Sequence, residues 1–213
     1  VLDGSVQIKP SVFYTSQQAW IQHCTLRNNI LFGQPYVEDR YNKVLDGAAL
    51  VPDCNIFRRG DLTELGEKGI NLSGGQKQRV CLARAVYFGS DVYLLDDPLS
   101  AVDAHVGQHL FDNIIGPKGL LCGKTRLLVT NAIHVLPRCD VIIVMKDGRI
   151  MESGTYNDLM SREGEFQTFM REYLKGSQNE EETDLLESEN SKDLNSPGGS
   201  HCRYWLAIAG LFI

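Results

Sequence analysis

Apolar and polar residues change their spacing several times along the chain, and the changes mark alternating helices and strands. After Gly75 the apolar residues follow helical spacing, which predicts a helix from about Gly75 to Phe88. Shortly afterwards an apolar run stops at two carboxylates, Asp96 and Asp97, as in a buried strand that presents acids at its carboxyl end. The alternation indicates an α/β fold. Further strands are predicted over 1–9, 11–14, 124–130, 140–145 and 149–152, and further helices from Thr25 and over 38–50, 154–160 and 163–174.

The start of the helix that follows Gly75 carries a short glycine-rich sequence, Ser73-Gly74-Gly75-Gln76. Glycines let a backbone approach a ligand closely, and a helix start offers unpaired N–H groups at the positive end of its dipole. Both properties suit a phosphate group better than a neutral metabolite. Alone, such a sequence is more often a loop or a helix cap.

The two acids that follow the apolar strand suit metal chemistry. Carboxylates at the end of a strand hold Mg²⁺ or polarise water beside the phosphates of a nucleotide. A pair of aspartates is, by itself, more often a helix cap or a turn. Here the acids follow the glycine-rich sequence and are joined to it by one amphipathic helix, so two structural accidents are a poor explanation. The sequence therefore predicts a site for nucleotide phosphates.

Four stretches resemble the motifs of ATP-binding cassette (ABC) transporters. Leu72–Gln76 resembles the signature motif, and Tyr93–Asp97 resembles the Walker B strand. Ser100–Asp103 is similar to the D-loop, and Gln17 stands where the Q-loop glutamine is expected. The surrounding residues most resemble the first nucleotide-binding domain of the multidrug-resistance-associated subfamily (subfamily C). The resemblance covers about residues 1–175 and implies a P-loop NTPase (RecA-like) core with an α-helical subdomain at about 22–80.

One motif of that family has no counterpart in this sequence. A phosphate-binding cassette carries a glycine-rich loop of the form G-x-x-x-x-G-K-[ST] before the Q-loop position. The pair Lys124-Thr125 follows Gly123 but lacks the earlier glycine of the motif. The resemblance therefore implies an N-terminally truncated fragment that lacks the first strands and the Walker A loop.

The resemblance also assigns roles at the ATP site of this cassette. Asp96 would be the metal-linked acid, and Gln17 would contact Mg²⁺ and the attacking water. Hydrolytic cassettes place a glutamate next, where this chain has the shorter Asp97, and a histidine where it has Asn131, which cannot carry a proton. His134 is not expected to substitute for that histidine. We therefore expect this site to bind ATP and to turn it over slowly, if at all.

The intact signature carries a different expectation. In the family two cassettes pack head to tail, and each signature caps the ATP that the other holds. Ser73–Gln76 would then contact the nucleotide of a second cassette, and Asp103 would add a D-loop contact unless it is a simple helix cap. Transmembrane domains would dock near Trp20 and Ile21, which implies a position at the cytosolic face of a membrane.

Negative charge is concentrated in one part of the chain. Residues 177–200 hold seven acids and one lysine, which equals the whole net charge of −6, so the remainder is neutral. The missing basic surface argues against a cassette that acts on nucleic acid. We expect a disordered acidic linker over 176–200 and a short apolar segment over 201–213. That segment is either the start of a longer membrane-associated stretch or an unrelated terminus.

The other polar and sulfur-bearing residues indicate no second site. The six cysteines have no C-x-x-C spacing, so metal binding is a weak interpretation and a reducing cytosolic compartment fits better. Cys81 is predicted to be a small core residue. Lys77, Arg79 and Arg84 are predicted to form a solvated stripe on the helix after Gly75.

Two alternatives to an exporter of organic anions or conjugates share these motifs. A regulatory, ATP-sensing cassette of a channel-associated subfamily C protein would carry nearly all of them. An inactive truncation product would carry them too, and would bind nucleotide very weakly.

Overall fold

One sheet organises a computed structural model that describes residues 10–66 and 72–173, together with the backbone of 205–210. Its strands are β1 (Val12–Thr15), β2 (Val92–Asp96), β3 (Thr125–Val129), β4 (Val141–Lys146), β5 (Arg149–Gly154) and β6 (Trp205–Gly210). Their order across the sheet is β1-β2-β3-β6-β4-β5. All neighbours are parallel except the pair β4–β5. The predicted α/β fold class is confirmed.

Helices connect most of these strands. They are α1 (Leu26–Leu31), α2 (Glu38–Gly47), α3 (Val51–Ile56), α4 (Gly74–Phe88), α5 (Ala104–Leu110), α6 (Tyr156–Ser161) and α7 (165–173). Short 3-10 segments cover Gly60–Leu62 and Ile133–Arg138, and a π-turn covers Phe111–Ile115. Thr25 caps α1, as its sequence predicts, because its side chain accepts a hydrogen bond from Asn28 N at 3.1 Å.

The elements described between β1 and α4 are helical, with one isolated bridge between Thr25 and Glu64. Helices α1 and α2 pack on α4. Helix α2 ends at Gly47, earlier than the predicted boundary at residue 50. The backbone of Ala49 is left-handed, with φ 51°, and a helix cannot continue through that conformation.

The hairpin between β4 and β5 follows its turn chemistry. Asp147 and Gly148 have φ values of 50° and 72°. Positive φ at both central residues is what a type I′ turn requires, so the predicted turn is confirmed. The helix that follows β5 is capped by Thr155 through a capping box with Asp158.

The apolar segment near the C-terminus supplies an interior strand. The backbone of β6 pairs with β3 on one side and with β4 on the other. The sequence left two interpretations of this segment, the start of a membrane-associated stretch or an unrelated terminus, whereas the backbone of residues 205–210 lies within the sheet. Uninterrupted apolar sequences are typical of interior strands in parallel sheets. The predicted linker over 176–200 and the predicted strand over 1–9 lie outside the described residues.

The charged face predicted for α4 is wrong for two of its three residues. Arg84 is 2% exposed, and the Arg79 side chain is 14% exposed. Arg84 donates to Asn29 O at 2.7 Å and to Asn29 Oδ1 at 3.0 Å, and its guanidinium lies 4.1 Å from the Trp20 ring centroid. Burial lowers the pKa of this guanidinium. Backbone and amide oxygens satisfy the arginine, so the side chain packs in the interior instead of facing water. Cys81 is buried, as predicted.

Helices in the described part of the chain fall short of what a bilayer crossing needs in length and apolar content.

Candidate functional site

Parallel strands bring four of the predicted site residues to one edge of the sheet. Asp96 ends β2 and pairs with Val129 of β3, and Thr15 of β1 pairs with Leu95. The residues that follow these strands therefore leave the sheet on the same side. We call this group the strand edge; it consists of Gln17, Asp96, Asp97 and Asn131.

Asp96 is the half-buried acid of the strand edge, and a tyrosine orients it. The hydroxyl of Tyr14, in β1, donates to Asp96 Oδ2 at 2.8 Å. This hydrogen bond, with a smaller contribution from burial, raises the pKa of Tyr14. Because a carboxylate has several lone pairs, Oδ1 remains able to accept a metal or a water molecule. Sequence reasoning did not select Tyr14, although its position near the end of β1 was available as a signal.

Asp97 occupies an unusual backbone conformation. Its φ is 46°, in the left-handed region, and the residue is 6% exposed. Its N–H donates to Val129 O at 2.8 Å, and its carbonyl accepts from Ser100 Oγ at 3.0 Å. These two bonds hold the chain as it turns away from β2. A left-handed aspartate at the end of a strand is the kind of local strain that occurs at functional sites.

Gln17 and Asn131 are both exposed at the strand edge. Gln17 follows Ser16, whose Oγ donates to Gln18 O at 2.7 Å and so closes the loop after β1. Asn131 follows Thr130, whose Oγ1 accepts from Ala132 N at 3.0 Å. His134 is exposed within a 3-10 segment. The strand edge therefore combines one oriented carboxylate with two amides on the surface.

The glycine-rich sequence forms the N-terminus of α4. Ser73 Oγ accepts from Gln76 N at 3.2 Å, and Ser73 N donates to Gln76 Oε1 at 2.9 Å, which together make a capping box. Ser73 and Gly74 are exposed, and Gly75 and Gln76 are half-buried. We call Ser73–Gln76 the signature tip.

The signature tip lies against the loop that leaves the strand edge. A Cβ atom on Gly75 would approach Ala101 O to 2.8 Å, whereas one on Gly74 would lie 4.0 Å from Ala101 Cβ. Close packing against Ala101 therefore requires a glycine at position 75. At position 74 there is room for a side chain. Asp103, at the end of the same loop, caps α5 by accepting from Val106 N at 2.9 Å. That hydrogen bond lowers the pKa of Asp103.

Asp53 is an acid beside the signature tip that the sequence did not indicate. Asp53, in α3, accepts from Gln76 Nε2 at 2.6 Å and from Arg79 Nη1 at 2.6 Å. Asp53 and Gln76 are 23 positions apart and lie in different helices, so no local sequence pattern links them.

The strand edge fits a magnesium ion that is held mainly by phosphate and water. Mg²⁺ in nucleotide sites takes one or two carboxylates and leaves its other positions to phosphate oxygens and water. Asp96 provides one such carboxylate. Within residues 10–66 and 72–173, no group of three or more His, Cys, Asp or Glu side chains could hold a metal by itself.

Comparisons with known proteins identify the family to which the chain is similar. The ABC transporter family profile matches residues 5–100. The chain is 53% identical to "ATP-binding cassette sub-family C member 3" of Rattus norvegicus over 193 residues, which cover 91% of this chain and 13% of the relative. It is 52% identical to member 2 of Homo sapiens over 190 residues, 89% of this chain and 12% of the relative. Member 3 of Homo sapiens is 56% identical over 172 residues, 81% of this chain and 11% of the relative.

The fold and the matched profile define an ABC transporter domain of the P-loop NTPase type, a class whose members generally bind ATP with Mg²⁺ and hydrolyse it. Within this class, the chain belongs with the cassettes of sub-family C, the multidrug-resistance-associated type. It spans about an eighth of the length of these relatives, and so corresponds to a small part of each of them.

Proposed function

We propose that this chain is part of the ATP-binding cassette of a transporter in which ATP binding and hydrolysis between two cassettes drive the export of organic anions or conjugates. The observation that carries the proposal is the exposure of the signature tip. Ser73 and Gly74 lie at the surface, whereas α4 behind them is buried from Val80 to Tyr87. An exposed tip on a buried helix is accessible to a nucleotide held by another protein surface.

The signature tip offers donors that suit phosphate. The N–H groups of Gly74 and Gly75 lie in the first turn, where a helix has no internal acceptor for them. The Ser73 hydroxyl can donate as well as accept. ATP would supply the phosphoryl group, and Mg²⁺ would neutralise part of its charge. The role of Ser73–Gln76 is then to bind and orient the nucleotide of a second cassette.

The strand edge contacts the nucleotide that this cassette itself binds. In this proposal Asp96 holds the magnesium ion, with Gln17 beside it, and Asp97 takes the position of the water-activating acid. Asp97 carries a short side chain on a left-handed backbone, and the Asn131 amide can donate a hydrogen bond but cannot take up a proton as a histidine does. Both properties favour slow turnover at this site, because rate depends steeply on the placement of the reacting groups.

The proposed partners are a second nucleotide-binding domain and the transmembrane domains, at the cytosolic face of a membrane. Trp20 is 46% exposed and its ring contacts Arg84 and Phe32, which gives a rigid aromatic surface. Ile21 is 6% exposed and belongs to the core, so Trp20 is the docking residue of this pair.

A regulatory cassette that senses ATP is the second candidate, and the pair Asp97 and Asn131 favours it. A sensor needs to bind ATP for long periods, and slow turnover meets that need. The two functions differ in one measurable outcome, since only the transporter moves an organic anion into membrane vesicles when ATP is supplied.

The test compares variants of the signature tip with a variant of the strand edge, in the intact protein that contains this chain. We expect Ser73→Ala and Gly74→Asp to remove most ATP turnover, because both change the surface offered to phosphate, while Asp97→Asn has little effect. Thr155→Ala is the matched control, since Thr155 makes the same kind of capping box on α6. Complete loss of transport-coupled hydrolysis in Asp97→Asn would refute the slow-site interpretation, and unchanged turnover in Ser73→Ala would refute the role of the signature tip.

A further inference from the structure

Asp53 connects the helices after β1 to the signature tip. It lies in α3, and its side chain is 8% exposed. Oδ1 accepts from Gln76 Nε2 at 2.6 Å, and Oδ2 accepts from Arg79 Nη1 at 2.6 Å. A buried carboxylate is stable only when it is paired and hydrogen-bonded, and Asp53 meets both conditions through α4.

The contact with Asp53 fixes the orientation of the Gln76 amide. Gln76 Oε1 accepts from Ser73 N, while Gln76 Nε2 donates to Asp53. Rotation of the amide would present an oxygen to the carboxylate and an NH₂ group to the Ser73 N–H, so both bonds would be lost. The orientation of Gln76, and with it the closed capping box, therefore depends on a residue of another helix.

Arg79 holds the same carboxylate in place from a second direction. Arg79 Nη2 lies 3.3 Å from Asp53 Oδ1, so the guanidinium approaches both carboxylate oxygens. Arg79 Nη1 also donates to Ala49 O, in the left-handed turn that ends α2. Arg79 thus connects Asp53 to the turn that precedes its own helix.

We propose that Asp53 is a positioning residue for ATP turnover: through Gln76 it sets the geometry of the first turn of α4, and hence of the Ser73 and Gly74 groups that face the nucleotide. The inference rests on the proposed function of the signature tip. It predicts that ATP turnover depends on the hydrogen bond between Asp53 and Gln76, and not merely on the presence of a salt bridge among these helices.

The experiment measures ATP turnover, kcat and KM, in the intact protein that contains this chain. Asp53→Ala removes both contacts, and we expect kcat/KM for ATP to fall about tenfold or more. Asp53→Asn keeps an acceptor for Gln76 Nε2 while losing the charge that faces Arg79, so we expect at least half of the wild-type kcat/KM despite a lower melting temperature.

Asp61→Asn is the matched control. Asp61 pairs with Arg27 at 2.8 Å in the same group of helices, and Asp61 pairs with a residue of α1 instead of α4. We expect its kcat/KM to remain within about twofold of wild type, even where its melting temperature falls as far as that of Asp53→Asn.

A double variant separates positioning from general damage. If Asp53 acts through Gln76, then Asp53→Ala combined with Gln76→Ala should turn over ATP within about twofold of Gln76→Ala alone. Multiplicative losses in the double variant would overturn the inference. So would unchanged kcat/KM in Asp53→Ala alongside a strong loss in Ser73→Ala, whereas unchanged turnover in Ser73→Ala would overturn the proposed function itself.

Discussion

The signature tip and the strand edge are both predicted to face nucleotide phosphates, yet they are built differently. At the signature tip, Ser73 and Gln76 complete each other's hydrogen bonds, and Asp53 holds the arrangement from outside the helix. At the strand edge, Gln17 and Asn131 are exposed, and Asp96 is oriented by one tyrosine. The side chains of the tip are therefore fixed by hydrogen bonds within the chain, whereas two of the four residues of the edge are exposed at the surface.

The largest expected effect concerns the helix that supports the signature tip. Arg84→Ala should lower the free energy of unfolding by about 3 kcal/mol, because it opens a cavity and removes the guanidinium that donates to the buried Asn29 O. Lys77→Ala, on the same helix but partly exposed, should change it by less than about 0.5 kcal/mol. Denaturant unfolding of both variants measures the difference. Equal effects would mean that the buried arginine of α4 contributes no more to stability than the partly exposed lysine.

A second comparison lies within the signature tip itself. Gly75→Ala should destabilise the chain by about 1–2 kcal/mol, since the new Cβ would meet Ala101 O at 2.8 Å. Gly74→Ala should be neutral or slightly stabilising, because its Cβ would lie 4.0 Å from the nearest heavy atom. Melting temperatures of the two variants test this, and a destabilised Gly74→Ala would contradict the open surface at position 74.

The strand edge can be tested through the backbone of Asp97. A left-handed conformation costs a residue with a side chain about 1–2 kcal/mol relative to glycine. We therefore expect Asp97→Gly to be more stable than Asp97→Ala by about 1 kcal/mol, with both variants losing the same carboxylate. Chemical denaturation provides the comparison. Equal stability would show that the edge is not strained at this residue.

The smallest expected effect is the change in stability when the charge of Asp103 is removed. Asp103 lies at the end of the loop that joins the strand edge to α5. Its carboxylate accepts from Val106 N, and its pKa lies below the ordinary value of 3.8. Because the folded-state pKa is the lower one, the stabilisation is present above the ordinary pKa and is lost as pH falls through the folded-state value. Asp103→Asn keeps a good cap without the charge.

Wild type and Asp103→Asn should therefore unfold alike near neutral pH. In acid, below the ordinary pKa of aspartate, the wild type should lose stability relative to the variant. Acid-unfolding curves of the two proteins measure this. Parallel curves throughout would show that the Asp103 charge has no part in the cap.

The spacing of residues along the sequence predicted an element correctly where that element depends on residues close together in the chain. The cap at Thr25, the helix that begins beside Gly75, the strand that ends at Asp96 and the turn at Asp147 all depend on neighbouring residues, and the structure contains each of them. The errors lie where distant groups decide. Arg84 was predicted to be solvated because its partners, Asn29 and Trp20, are more than fifty positions away in the chain.

The sequence by itself determined the α/β class, the glycine-rich helix start and the acids at the end of β2, because each depends on spacing within a short window of chain. Only the tertiary structure decided that Tyr14 orients Asp96, that Asp53 holds Gln76, and that residues 205–210 enter the middle of the sheet. These contacts join separate elements. Their existence depends on how the sheet and helices pack, which no local pattern of residues specifies.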